Sequence, residues 1–134
     1  VAQWAEQNET KKSLKEKAAE LFNKDSLLSL KDIFTLNIRW VAQQEKRLFL
    51  RSVKTKNGAL TVLVLSPDVL VDVFYVAAGS LVDYLLETFG APRFADLCRE
   101  LRDGKPVEEA IALAYPDHFK NTNDLEREWR KSLL

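Results

Sequence analysis

Between Ser66 and Gly90 the sequence carries one long helical pattern, and whatever else the chain forms has to pack around it. Ser66-Pro67-Asp68 supplies an N-cap, a proline in the first turn and an acid favoured by the helix dipole, and Gly90 supplies the stop. With residues placed at about 100° each, Asp68, Asp72, Gly79, Asp83 and Glu87 share one narrow stripe. Val69, Leu70, Val73, Phe74, Val76, Leu81, Tyr84 and Leu85 take most of the remaining circumference. A helix apolar over so much of its girth needs neighbours on several sides, which makes it the central helix of an α-helical core.

The flanking segments supply those neighbours. Residues 1–24 read as helix, with a break near Asn8 and a Ser13–Glu16 capping box opening the second piece. Residues 26–36 predict a short helix capped by Ser29, with Leu30, Ile33 and Phe34 inward. Downstream, residues 92–102 predict a helix ended by Gly104, and residues 106–114 another ended by Pro116. Asn123 is placed to cap a last helix carrying Leu125, Trp129 and Leu133 on one face. The exception is the run Ala59-Leu60-Thr61-Val62-Leu63-Val64-Leu65, β-rich and preceded by the two-residue turn signal Asn57-Gly58, which predicts a hairpin of about Arg47–Thr55 with Ala59–Leu65. The expected fold is therefore mainly α, a bundle of about six helices with one β-hairpin near residues 47–65, in a single domain over residues 1–134.

Charge and composition exclude several functions. The chain has 20 basic and 20 acidic residues, so no net charge draws it to polyanions, and nucleic acid is not an expected partner. No apolar run nears the ~18 residues of a bilayer crossing, so no membrane span is expected. With one His, one Cys, no HExxH, no CxxC and no phosphate-loop glycines, no common catalytic constellation can be assembled from this sequence. Charge is unevenly spread. From Ser29 to Ser66 there are seven bases and two acids, and from Pro67 onward thirteen acids and eight bases, a complementarity suited to packing within the chain or on a parent's surface. The sequence has no Met and opens directly into helix-like residues at Val1, which leads us to expect a piece of a larger chain.

Tyr75-Val-Ala-Ala-Gly-Ser-Leu-Val-Asp-Tyr84-Leu85-Leu-Glu-Thr-Phe89-Gly90 is followed by Phe94, Leu97, Leu101, Gly104, Val107-Glu-Glu-Ala110 and Leu125-Glu-Arg-Glu-Trp129. This succession resembles the downstream helical region of gluzincin zinc metallopeptidases, in particular their peptidase-MA-like bacterial group. Val1-Ala2-Gln3-Trp4-Ala5-Glu6 also looks like the end of that family's segment bearing the third zinc ligand. The resemblance covers residues 1–36 and 67–134. It implies that this chain is the non-metal-binding C-terminal part of such a peptidase, inactive alone, with HExxH and the third-ligand Glu upstream. Zinc would then belong to the full-length parent and none to this chain. Its partners would be the parent's N-terminal catalytic portion and, through it, a peptide substrate; the compartment stays open, with the bacterial envelope or the medium as expectations. In the aminopeptidase branch a Tyr on the corresponding helix, followed by Gly three residues on, donates a hydrogen bond to the tetrahedral oxyanion. Tyr75 matches that Tyr, while Gly79 stands four residues on.

Each candidate has a plainer reading beside it. Tyr75 is either a positioned donor or a boundary tyrosine with its hydroxyl in water. The acidic stripe is a Ca²⁺ or Mg²⁺ site only with loop geometry that a helix does not provide, so a solvated face is expected. His118 lacks a partner at ligand spacing, and Cys98 is expected on the apolar face with Phe94, Ala95 and Leu101 rather than paired with His118 as a nucleophile. The basic hairpin with Trp40 and Phe49 is either a contact for an anionic surface or a solvated edge that blocks strand addition. The alternative to the peptidase reading is a non-catalytic helical protein-interaction module.

Overall fold

The computed structural model describes residues 14–134, which form seven helices and one two-stranded antiparallel sheet. Expectations placed on residues 1–13, including the break near Asn8 and the Ser13 cap, lie outside the described residues. The chain divides into two compact units, one through Ser80 with Leu133 and one from Leu81 to Ser132 with Leu134.

In the first unit, α1 occupies residues 14–23 and buries Ala18 and Phe22. It ends in a reversal: the Ser26 amide donates to the Leu21 carbonyl at 2.8 Å while Asp25 takes the left-handed conformation, φ 56°. Glycine is the usual residue there, because a Cβ crowds the backbone. Aspartate is retained for a second task, since its carboxylate accepts the Lys56 amide of the hairpin turn at 2.9 Å. We expect Asp25→Ala to lower unfolding stability by about 2 kcal/mol, combining the lost bond with an unrelieved left-handed residue, and Asp25→Gly to cost less than Asp25→Ala. Urea denaturation of the two variants checks the order.

Helix α2 is Leu30–Thr35, with Ser29 accepting the Asp32 amide as anticipated. Leu30 is buried, while Ile33 and Phe34 are half-buried. A helix the sequence reading passed over follows, α3 at Ile38–Ala42, started by the Asn37 side chain accepting the Trp40 amide. Its five residues are too few for a periodic signal, so only the cap could have announced it.

The hairpin pairs β1, Phe49–Lys54, with β2, Leu60–Leu65, in the register Phe49 with Leu65 through Lys54 with Leu60. Its turn lies where the expected strands leave it, between Thr55 and Ala59, but is longer than the two-residue type that Asn57-Gly58 signals. Thr55 and Ala59 still pair, with the Thr55 amide donating to the Ala59 carbonyl at 2.7 Å, so Lys56-Asn57-Gly58 is a three-residue loop. The Gly58 amide closes on the Thr55 carbonyl, and Gly58 sits at φ 85°. A turn followed by a left-handed glycine is the second commonest hairpin solution, and Asn-Gly serves it as well as the two-residue one.

Helix α4 is Pro67–Phe89, the helix read from Ser66-Pro67-Asp68, with Ser66 accepting the Val69 amide. By length and composition alone it could cross a bilayer. Its buried Leu70, Val73, Ala77, Leu81 and Leu85 and its row of acids are what a core helix carries. Gly79 has a packing reason: a Cβ there would lie 2.6 Å from Leu14 Cδ2, so α1 approaches α4 where the side chain is missing.

The second unit continues with α5, Ala91–Arg102, α6, Val107–Ala114, and α7, Thr122–Ser132. Gly104, at φ 88°, ends α5, and the Lys105 amide reaches back to the Glu100 carbonyl. The cap of α7 corrects the sequence reading: it is Asn121, whose side chain accepts the Asp124 amide at 2.9 Å, and Asn123 lies inside the helix. Two tertiary and local contacts decide the choice. Glu108 of α6 accepts both the amide and the hydroxyl of Thr122, and Asp124 accepts the Lys120 amide. That backbone bond, ahead of the Arg127 charge, holds the Asp124 carboxyl below its usual range. Leu97, Ala110, Ile111, Ala114, Tyr115, Phe119, Leu125 and Trp129 are buried in this unit.

Candidate functional site

Tyr75 lies in the first half of α4, seven residues after Asp68, and is 60% exposed. Its ring is steadied at one edge by Phe74, centroid to centroid 5.6 Å and nearly perpendicular, and its hydroxyl has no hydrogen-bond partner among the described residues. Tyr84, on the same helix, is placed quite differently. It is half-buried, meets Phe89 edge-on at 6.1 Å, and has its phenol pushed above the usual value by burial and then by the Glu128 charge. The helix-wheel distinction between the two tyrosines therefore survives in three dimensions. A phenol held at its ring and free at its oxygen can donate one hydrogen bond to a neighbouring oxyanion.

The acids beside Tyr75 do not converge. Asp68, Asp72 and Glu87 are exposed and Asp83 half-buried, and among the described residues no three His, Cys, Asp or Glu side chains are grouped to hold a metal ion. Residues 14–134 thus do not fit zinc, and no chemical step is routed through a metal in this chain.

The other singled-out residues fall elsewhere. His118 is exposed in the turn after α6, its ring 4.6 Å from that of Phe89. Cys98 is exposed, a correction to the apolar placement expected beside Phe94 and Leu101, because α5 turns Leu97 rather than Cys98 into the core. No hydrogen bond joins Cys98 to His118. The interior of the second unit is instead organised by aromatic rings: Phe89 lies 5.2 Å from Tyr115 and 5.5 Å from Phe119, all steeply inclined.

Tyr115 itself was not anticipated as special. It is wholly buried, its hydroxyl has no hydrogen-bond partner among the described residues, and burial pushes it up to about 12, with the Cys98 thiol adding to the effect. A neutral phenol in the fold that ionises at the ordinary value of about 10 once unfolded makes stability fall as pH rises from about 10 toward 12. We expect Tyr115→Phe to be neutral or stabilising by up to about 1 kcal/mol at pH 7, since it removes an unpaired buried hydroxyl. The same variant should lose less stability than the parent chain between pH 10 and 12, as followed by circular dichroism. A variant that melts earlier at pH 7 would show that the hydroxyl has a partner.

Three charge contacts organise the basic region, none of them foreseen in the sequence. Arg51 pairs with Asp32 of α2 at 3.4 Å on the inward side of β1. Arg47 lies over the Trp40 ring at 5.1 Å and the Phe49 ring at 5.8 Å, and these rings meet edge-on at 5.9 Å. The sequence held the three residue types but gave no spacing signal that α3 would bring Trp40 to the hairpin base.

Comparison of the chain with family models, with curated proteins and with solved structures gives no match.

Proposed function

We propose that the chain is the helical, non-metal-binding C-terminal part of a gluzincin-like zinc metallopeptidase, acting in peptide-bond hydrolysis when joined to an upstream catalytic portion. The motif succession from Tyr75 to Trp129 is the basis of the reading, and one structural observation carries the residue assignment. That observation is Tyr75, exposed and with its ring edge-on to Phe74. In this role Tyr75 donates its phenolic proton in a hydrogen bond to the oxygen that gains charge as the peptide carbonyl becomes tetrahedral. Such a donor binds the transition state better than the ground state, which is the condition for raising kcat.

The experiment is hydrolysis of an internally quenched peptide mixture by the longer protein and by residues 1–134 alone. The longer protein should cleave and this chain should not. Absence of cleavage by both leaves a non-catalytic helical interaction module as the reading.

A further inference from the structure

Strand β2 is apolar on both faces: Leu63 and Leu65 alternate with Leu60, Val62 and Val64. That pattern belongs to strands covered on both sides, whereas a strand with one wet face alternates apolar with polar. Yet among the described residues the sheet has two strands, and the side chains of its outward face are exposed. Leu50 is 61% exposed, Val62 58%, Val64 61% and Leu60 73%, and the register stacks Leu50 against Val64 and Ser52 against Val62. Leu48, just before β1, extends the strip and is 65% exposed. Contiguous aliphatic surface of this kind marks an interaction site rather than the scattered exposure of ordinary surfaces.

Cations flank the strip at both ends. Lys46 and Arg47 precede it at the open end of the hairpin, Lys54 stands opposite Leu60 at the far end of the same face, and Lys56 follows in the turn, all with exposed side chains. Glu45 is the only acid between residues 33 and 66. Trp40, 42% exposed beneath Arg47, closes the same end of the hairpin from its inward side, against the buried Phe49. An aliphatic strip without pocket-forming aromatics, set between bases, matches the chemistry of a membrane interface: acyl chain beneath, anionic headgroups at the rim.

We propose that the outward face of the hairpin docks on an anionic lipid surface, lying flat in the headgroup region with Leu48, Leu50, Leu60, Val62 and Val64 toward the acyl chains. The depth is limited by the strand edges. Their unpaired amides and carbonyls have to stay hydrated, so the hairpin rests on the bilayer and does not enter its hydrocarbon core. This inference rests on the hairpin and is independent of Tyr75 and the peptidase reading.

The test is sedimentation of the 134-residue chain with vesicles of phosphatidylcholine alone and of phosphatidylcholine containing about one-third phosphatidylserine. Binding to the anionic vesicles should exceed binding to the neutral ones by about 10-fold and should fall with added salt. The double variant Leu50→Thr/Val62→Thr, which keeps β-propensity on an exposed face, should lose most of the binding while its circular dichroism and melting stay unchanged. Lys46→Glu/Lys56→Glu should lose the preference for anionic vesicles. No sedimentation with either vesicle, or equal binding to both, overturns the proposal. So does a wild-type dimer in solution that Leu50→Thr/Val62→Thr makes monomeric, which would assign the face to a second copy.

Discussion

Tyr75→Phe, placed in a full-length peptidase that contains this chain, should lower kcat by about 100-fold and leave KM nearly unchanged. The size follows from what is removed. Deleting a single oxyanion donor costs about 2.7 kcal/mol of transition-state stabilisation at the lower end of what such donors supply, and a phenylalanine keeps the ring packed while losing only the oxygen. The ground-state carbonyl carries little charge, so substrate binding is barely touched. Stability should not move either, because Tyr75 is exposed and its hydroxyl is unpartnered among the described residues. A fall in kcat with an equal fall in melting temperature would make Tyr75 a packing residue. An unchanged kcat would remove it from the reaction.

Trp129→Ala should have the largest effect on folding, destabilising the chain by about 3–5 kcal/mol. Trp129 and Leu125 are both completely buried, one turn apart on α7, and Leu133, just past the helix, is buried as well. Removing an indole there leaves a cavity that rigid neighbours fill incompletely, and a domain of this size has only about 5–15 kcal/mol in hand. Thermal melting followed by near-ultraviolet dichroism measures the loss. An unchanged melting temperature would mean that α7 contributes nothing to the core.

Long elements with end signals were legible in the sequence, and short ones were not. Ser66-Pro67-Asp68 located α4, Ser29 located α2, and the apolar spacing of α7 placed Leu125 and Trp129 inside. Helix α3 was missed because five residues cannot show a 3.6-residue period, and its one clue, Asn37, is equally at home in a turn. The α7 cap shifted from Asn123 to Asn121 because Glu108, far away in sequence, reaches Thr122 and fixes where the helix begins. Asn57-Gly58 announced a hairpin correctly but could not separate a two-residue loop from a three-residue one, since both want a left-handed glycine.

The candidate sites divide along the same line. The helical period separated Tyr75 from Tyr84, because exposure on a long helix follows its periodicity. Cys98 was misplaced by one position of the same logic: Leu97 takes the inward direction on α5 and leaves the thiol in solvent. Nothing in the sequence foretold that the aliphatic run of β2 would keep one face exposed, because a strand apolar at five of its six positions, with Thr61 as the exception, is silent about which side meets water.

The central claim is that these helices belong to a peptidase whose metal is held upstream, and elemental analysis tests it most directly. Zinc measured on the purified full-length protein and on residues 1–134 should give one tightly held ion per full-length chain and none on the shorter one. A full-length protein free of zinc, or stoichiometric zinc on residues 1–134, would contradict it.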